Sequence, residues 1–159
     1  MPELPEVETM RRGILGVIGG RVTDAQAVTC GLKPIRIAPR PATLRRRVVG
    51  CRIEAVERHG KRLVLRLDSH AALVFEPRMT GLILLADPPD TDHLRFCLRL
   101  TGVAPRQLLF WDRRGLGSVR LLSVRQLQAE LGPAKLGPDA LQITAAQLRE
   151  RLRTSHRAV

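Results

Sequence analysis

A series of short runs of residues between positions 52 and 123 constrains the fold most. The runs are rich in Val, Leu and Ile, several alternate between apolar and polar residues, and turn signals such as His59-Gly60 and Thr101-Gly102 separate them. Short strands at this spacing are typical of an antiparallel β-sandwich or barrel rather than a parallel sheet. The predicted strands are Arg52–Glu57, Arg62–Asp68, Ala72–Phe75, Leu82–Ala86, Leu94–Leu100, Gln107–Trp111 and Ser118–Ser123.

Helical patterns flank these strands. Apolar residues recur at helical spacing from Pro5 to Ile18, and Gly19-Gly20 ends the pattern. A brief helix is predicted from Ala42 to Val49, and helical spacing returns over Val124–Leu131 and from Thr144 to about Arg153. The predicted fold class is therefore mainly β with flanking helices (α+β): an antiparallel β-sandwich preceded by an N-terminal α-helix.

The last predicted helix suggests a domain boundary. Leu148 and Leu152 lie on one face of it, and an amphipathic helix needs a surface on which to pack. We therefore expect residues 1–131 to form the β-sandwich domain, and 132–159 to be a linker and the first helix of an incomplete helical domain. The start of the chain lacks a signal-peptide pattern, and no apolar run approaches the roughly 18 residues of a membrane span. This predicts a soluble, cytoplasmic protein with no membrane partner.

The charge of the chain indicates a polyanionic partner. The net charge is +12 and the isoelectric point is near 11.4, which most often accompanies nucleic-acid binding. Only three of the 27 basic residues are lysines: Lys33, Lys61 and Lys135. A genome biased toward arginine accounts for this ratio, but it does not account for the excess of positive charge.

The cysteines and histidines indicate neither a disulfide framework nor a metal site. The cysteines are odd in number, and neither set has the spacing of metal ligands. We expect the cysteines in the strands to pack in the core and the histidines to lie on the surface. The residues are Cys30, Cys51 and Cys97, and His59, His70, His93 and His156.

Five segments of the chain have a characteristic order and spacing: the opening MPELPEVET, Arg58–Leu63, Arg78–Gly81, Asp112–Gly117 and Leu136–Leu141. Together they resemble one protein family, the bacterial formamidopyrimidine-DNA glycosylases. The opening MPELPEVET is the most specific of them, because the related endonuclease VIII proteins usually carry glycine where this chain has Leu4. The resemblance implies base excision repair of oxidised purines (8-oxoguanine and formamidopyrimidines) with abasic-site lyase activity. It also implies a monomer acting on double-stranded DNA that contains such lesions, associated with the bacterial nucleoid.

By match to the family's motifs, four residues carry the catalysis. Pro2 is the nucleophile once Met1 has been removed, and Glu3 is the general acid/base that helps to open the sugar ring. A free α-amino group has a pKa of about 8, so a neutral, nucleophilic fraction exists near pH 7. Glu6 matches the acid that orients the N-terminus, although a first-turn helix carboxylate would look the same. Lys61 matches a phosphate-contacting lysine of the site, and a solvated surface cation is its alternative.

The resemblance also implies a set of DNA-binding residues. An enzyme that flips its target base out of the helix must fill the gap. Met79, Arg114 and Leu116 match the residues that do so, and His93 is assigned to the DNA-binding set together with Lys61. Apolar wedges can enter between base steps, and arginine can bond to the orphaned base. The family commonly has an aromatic residue where this chain has Leu116, which keeps an apolar plug but has no stacking face.

The resemblance covers the first part of the family's length. Family members continue into a helix–two-turn–helix domain and a four-cysteine zinc finger, so we expect no cofactor in this chain. Phosphate contacts supply most of the non-specific affinity for DNA, and we therefore expect weak DNA binding. Two alternatives stay open: a catalytically inactive or weakly active DNA-binding fragment of such an enzyme, and a basic RNA-binding protein.

Overall fold

The computed structural model describes residues 2–154, and these residues form two β-sheets with helices packed around them. The helices are α1 (Leu4–Gly13), α2 (Pro41–Val48), α3 (Val124–Leu131), α4 (Pro133–Leu136) and α5 (Ala145–Thr154), with a short 3₁₀ helix at Leu15–Val17. The strands are β1 (Arg21–Ala27), β2 (Arg36–Ala38), β3 (Ile53–His59), β4 (Arg62–Leu67), β5 (Ala71–Glu76), β6 (Gly81–Leu84), β7 (Leu94–Thr101), β8 (Gln107–Asp112) and β9 (Ser118–Ser123). Among these residues, no helix is long and apolar enough to cross a membrane.

The two sheets face each other across one hydrophobic core. The first has the strand order β1-β7-β8-β6 and is antiparallel throughout, and the second has the order β2-β9-β5-β4-β3. Phe75 of the second sheet meets Phe96 and Phe110 of the first, with ring centroids 6.0 Å apart in both pairs and edge-to-face geometry. The predicted β-sandwich is confirmed, with one difference: β2 pairs in parallel with β9.

The predicted strands from β3 to β9 are confirmed, but the first two strands were missed. In β1 the register shifts between Val22 and Asp24, which breaks the alternation of apolar and polar residues. The next strand, β2, has only three residues and is too short to show a pattern. The four-residue helix α4 was missed for the same reason.

The prediction of one helix from Pro5 to Ile18 is wrong after Gly13. Helix α1 ends at Gly13, and the chain continues through Ile14 into the 3₁₀ helix. Glycine is a poor helix former, and another glycine follows at position 16. Ile14 and Val17 are nevertheless fully buried, as the apolar spacing predicts, whereas Ile18 of the same pattern is 42% exposed.

Helix α3 covers the outer face of the second sheet. Leu127 and Leu131 pack against Val64, Val74 and Leu122 in a small second core. Ser123 caps the N-terminus of this helix: its side chain accepts a hydrogen bond of 3.2 Å from the backbone N–H of Gln126. The proposed division into residues 1–131 and 132–159 stays a prediction.

Candidate active site

Three loops leave the sandwich at the same end. In the second sheet Leu63 lies opposite Phe75, and Phe75 lies opposite Val119. The β3–β4 turn, the β5–β6 loop and the β8–β9 loop therefore emerge side by side. In the first sheet Gly81 lies opposite Asp112 at the corresponding end. All the residues assigned to catalysis and DNA binding between positions 58 and 117 belong to this end of the molecule.

The N-terminus of α1 meets the β3–β4 turn. The Nζ atom of Lys61 forms an ion pair with the carboxylate of Glu3, and each side chain is roughly half exposed. Glu3 precedes the first turn of α1, and its backbone N–H donates a hydrogen bond of 3.0 Å to the carboxylate of Glu6. Glu6 thereby fixes the peptide that directly follows Pro2. The structure thus brings together Pro2, Glu3, Glu6 and Lys61, which are the residues assigned to catalysis.

The turn that carries Lys61 depends on glycine. Gly60 and Lys61 connect the paired residues His59 and Arg62, and Gly60 has a φ of 59°. Two-residue hairpins require positive φ at the first turn position, where glycine has no steric penalty. The glycine therefore allows the tight turn, and the turn places Lys61 at the tip of the hairpin.

Arg58 lies under this turn and is almost fully buried, with 4% of its side chain exposed. Its Nη1 donates to the carbonyl oxygen of Gly60 at 3.1 Å, and its Nε donates to the carboxylate of Glu8 in α1 at 3.1 Å. Its Nη2 pairs with the carboxylate of Asp139. One guanidinium group therefore joins the hairpin turn, α1 and the segment that follows α4.

Glu8 is held by three arginines. Hydrogen bonds from Arg11, with further bonds from Arg12 and Arg58, lower the pKa of Glu8 from 4.5 to about 2, although partial burial opposes this shift. Arg11 bonds it at 3.0 and 2.8 Å, and Arg12 bonds it at 3.0 Å. Glu8 is therefore ionised at neutral pH and anchors α1 to β3 through Arg58.

A buried carboxylate connects the two loops that carry the predicted wedge residues. Asp112 is fully buried at the end of β8. Its Oδ1 accepts hydrogen bonds from the hydroxyl of Thr80 at 2.6 Å and from the backbone N–H of Arg114 at 3.2 Å. Its Oδ2 accepts from the backbone N–H of Gly117 at 2.7 Å. Thr80 follows Met79 directly, so Asp112 fixes the β5–β6 loop and the β8–β9 loop relative to each other.

A second buried charged residue, Arg95, also holds the β8–β9 loop. Arg95, at the start of β7, is 2% exposed. Its side chain donates hydrogen bonds to the backbone carbonyls of Asp112, at 2.8 Å, and of Arg113, at 3.4 Å. It also contacts the Sγ atom of Cys30, which lies in the loop after β1. The β8–β9 loop is therefore held by β7 as well as by its own carboxylate.

The loop after β1 also touches the β8–β9 loop through backbone atoms. Gly115 has a φ of 61°, and a Cβ atom built on it would lie 2.3 Å from the carbonyl oxygen of Lys33. No side chain fits at this distance, so only glycine allows the two loops to approach this closely. Lys33 itself is exposed.

The predicted wedge residues point away from the core. Met79 is 38% exposed and Leu116 is 36% exposed, which is unusual for large apolar side chains in a loop whose backbone is so firmly held. Arg114 is exposed as well, while its backbone N–H is fixed by Asp112 and by the Thr80 hydroxyl at 3.1 Å. These three side chains are available for contact with a ligand, and their roles stay predictions.

His93 lies at the same end but is half-buried. Its Nδ1 bonds to Asp90 at 2.8 Å, and its ring packs edge-to-face on Trp111 with centroids 5.5 Å apart. The indole N–H of Trp111 also donates to Asp90, at 3.1 Å. The expectation of a plain surface histidine is therefore wrong for His93. A DNA contact through this residue stays a prediction.

The other histidines and the cysteines give a mixed result. His59 is also half-buried, with hydrogen bonds to the backbone of Leu131 at 3.1 Å and to Glu57 at 2.8 Å, so the surface interpretation is wrong for it too. His70 is exposed, Cys97 is buried as expected, and His156 lies outside the described residues. Within residues 2–154, no three His, Cys, Asp or Glu side chains are grouped so as to hold a metal.

Two positioning residues were missed at the level of sequence. Arg58 and Asp112 lie in segments that match the family, but neither is among the predicted site residues. The hydrogen-bond partners of Arg58, Glu8 and Asp139, are 50 and 81 residues away in the sequence. Asp112 bonds to Thr80, which is 32 residues away. The signal that could have found Asp112 is an aspartate at the end of an otherwise apolar strand, QLLFWD.

Comparison with known proteins identifies the family. Residues 1–119 match the sequence model of the formamidopyrimidine-DNA glycosylase N-terminal domain. The chain belongs to the formamidopyrimidine-DNA glycosylase family. Relatives named formamidopyrimidine-DNA glycosylase include a Bacillus subtilis (strain 168) protein, 34% identical over the whole of this chain and 58% of its own length. Another, from Chloroflexus aggregans, is 39% identical over 96% of this chain and 55% of its own.

Solved structures of the family have the same fold. The chain matches Lactococcus lactis FPG in complex with DNA containing FAPY-dG, with a TM-score of 0.74 and 26% identity over 96% of this chain and 57% of that one. It matches the complex of the Lactococcus lactis protein with DNA containing an abasic site with a TM-score of 0.75, also at 26% identity. The chain spans a little over half of the length of these relatives.

Proposed function

We propose that this chain carries the nucleophile-bearing part of a formamidopyrimidine-DNA glycosylase, which removes oxidised purines from double-stranded DNA and then cleaves the abasic strand. The observation that carries the proposal is the arrangement of Pro2 and Glu3 at the start of α1, against Lys61. The three loops at this end support it, because two of them expose the predicted wedge residues Met79 and Leu116 beside the same site.

The chemistry requires Pro2 as the N-terminal residue. Its free secondary amine then attacks C1′ of the damaged nucleotide, the bond from C1′ to the base breaks, and the base leaves with the proton that the amine loses. Glu3 protonates the ring oxygen O4′, the C1′–O4′ bond breaks, and C1′ becomes the carbon of an iminium ion. The iminium ion makes the neighbouring C2′ acidic, and loss of a proton from C2′ expels the 3′ phosphate by elimination. Hydrolysis finally releases the amine, so no external oxidant or reductant is needed.

Lys61 contributes charge to this site. As an exposed ammonium group beside Glu3, it suits contact with a DNA phosphate near the damaged nucleotide. A phosphate would compete with Glu3 for the lysine, so DNA binding would release the carboxylate for proton transfer. Arg114 is suited to the orphaned base because its backbone is fixed while its side chain remains free to reach out.

Borohydride trapping tests the proposal. Borohydride reduces an iminium ion to a stable amine, so this chain and a duplex with one abasic site should form a covalent adduct. Pro2→Gly should reduce the adduct strongly, and Glu3→Gln should slow its formation. Intact mass should show that Met1 has been removed. A chain that starts at Pro2 but gives no adduct would refute the proposed mechanism.

A second candidate is DNA binding without turnover. The net charge of +12 and the exposed loop residues suit DNA contact whether or not chemistry follows. Turnover of an 8-oxoguanine duplex above the level of the Glu3→Gln variant would exclude this candidate. If the unaltered chain and the Glu3→Gln variant both bind this duplex and turn it over at the same rate, this candidate is favoured.

A further inference from the structure

Arg58 stands out because it makes three contacts with three separate parts of the chain and is almost fully buried. Such a group is costly to desolvate, and the contacts must compensate for that cost. Its partners are Glu8, the carbonyl of Gly60 and Asp139. Each nitrogen of the guanidinium group therefore has its own acceptor.

The first two contacts define the geometry of the proposed catalytic site. Glu8 lies five positions after Glu3 on α1, which is about 7.5 Å along the helix axis. The Gly60 carbonyl belongs to the turn that carries Lys61. By bonding to both, Arg58 sets the separation between the start of α1 and the tip of the hairpin, and with it the distance between Glu3 and Lys61.

The third contact extends this geometry to the segment after α4. Asp139 lies between α4 and α5, and its other carboxylate oxygen accepts a bond of 3.0 Å from the backbone N–H of Leu141. Its backbone carbonyl accepts from the N–H groups of Gln142 and Ile143, both at 2.9 Å. The segment is thus locally ordered around Asp139, so a movement of the segment would displace the carboxylate with it.

A cleft of about 910 Å³ separates this segment from the sandwich. Its walls are α1 and the end of β3 on one side and residues 131–142 on the other. Two side chains at the end of β3 cross to the far wall: Arg58, which reaches Asp139, and His59, which bonds to the carbonyl of Leu131. Only the Arg58 crossing also reaches the hairpin turn and α1.

We infer that Arg58 is a positioning residue that couples the 137–142 segment to the Glu3–Lys61 pair. The segment acts on the site without touching it, because Asp139 orients Arg58, and Arg58 orients the turn and the helix. The expected effect on the rate of adduct formation rests on the proposed function. The structural coupling between the 137–142 segment and the β3–β4 turn does not depend on it.

The kinetic test uses this chain and an abasic-site duplex under single-turnover conditions. Displacement of catalytic groups by about 1 Å costs up to about 100-fold in rate, so we expect Arg58→Met to slow adduct formation at least tenfold. Binding of the duplex, measured by fluorescence anisotropy, should change less than twofold. Arg58→Lys should restore only part of the rate, because one ammonium cannot reach all three acceptors.

Asp139→Asn gives the sharper test, because it keeps the acceptor for Leu141 and does not endanger the fold. We expect it to slow adduct formation about threefold or more. In a chain that already carries Arg58→Met, it should have no further effect, since the two residues act as one unit. Arg45→Met is the control: Arg45 also pairs with an aspartate on another element, Asp24 of β1, and its loss should leave the rate unchanged.

Hydrogen exchange measures the coupling independently of activity. Asp139→Asn should speed the exchange of backbone amides in the β3–β4 turn, residues 59–62, as well as near position 139. If Asp139→Asn leaves the exchange of the amides at 59–62 unchanged, the inference is overturned. It is also overturned if Asp139→Asn slows adduct formation equally in the unaltered chain and in the Arg58→Met variant. If the unaltered chain forms no adduct, the proposed function fails, and the exchange measurement alone decides the coupling.

Discussion

Replacing Asp112 by asparagine should destabilise the protein more than any single contact in the β8–β9 loop suggests. The carboxylate is fully buried and accepts three hydrogen bonds, from Thr80, Arg114 and Gly117. Asparagine has nearly the same shape but only one acceptor atom. Whichever way the amide is turned, its NH₂ group faces at least one backbone N–H.

The magnitude follows from these bonds. Hydrogen bonds to a charged group contribute about 1.5–3 kcal/mol each, and a buried donor left without a partner costs about 1–3 kcal/mol. With the amide oxygen toward Thr80 and Arg114, the variant loses the short bond to Gly117 and places two donors against each other. We therefore expect Asp112→Asn to lower the free energy of unfolding by about 2–4 kcal/mol.

Urea unfolding followed by circular dichroism measures this change. Thr80→Val is the matched variant, because it removes one donor to Asp112 and keeps the shape of the side chain; it should cost about 1.5–3 kcal/mol, the contribution of that one bond to a charged group. A value for Asp112→Asn within about 0.5 kcal/mol of the unaltered protein would refute the reasoning, because changes of that size are typical of surface substitutions.

The other predictions concern pH, backbone conformation and DNA contact. Glu8 has a pKa lowered to about 2, so its contribution to stability, no more than about 3–3.5 kcal/mol, is present above pH 4.5 and lost as the pH falls toward 2. The difference in unfolding free energy between the unaltered chain and Glu8→Gln should therefore shrink over that range, and a constant difference would contradict the assignment. Gly115→Ala should cost about 2–4 kcal/mol in urea unfolding, because it combines a positive φ with a clash against Lys33. Gly102→Ala, also at positive φ but with nothing within 4 Å, should cost only about 1 kcal/mol. Leu116→Phe should bind an abasic-site duplex about fivefold or more tightly in an anisotropy titration, since a stacked aromatic ring is worth about 1–3 kcal/mol; unchanged affinity would contradict a wedge role.

Much of the fold could be predicted because the strands of the sandwich carry their own signals. The residues of β3 to β9 are apolar or alternating and are bounded by turns, and the structure places strands there. The family assignment was also predicted, from the opening MPELPEVET and the segments matched with it, and the comparisons confirm it. Two strands could not be predicted because they lack a regular alternation of apolar and polar residues: β1, which has a register shift, and β2, which has only three residues.

The candidate site was predicted as a set of residues but not as an arrangement. Glu3 and Lys61 were named from the family's motifs, whereas their ion pair could be seen only in the folded chain. Arg58 could not be distinguished by sequence from the many other arginines, because its importance comes from burial and from partners far away in the chain. A charge that is buried by long-range packing leaves no local periodicity in the sequence.

The close approach of Gly115 to Lys33 has a consequence for how this protein can vary in evolution. The contact is made by backbone atoms, while the side chain of Lys33 is exposed. Natural selection should therefore tolerate many residue types at position 33. Insertions or deletions in the loop after β1 should be rare, because they would move the Lys33 carbonyl away from its contact with Gly115 in the β8–β9 loop. We expect an alignment of relatives to show a loop of variable composition and constant length, facing an invariant glycine.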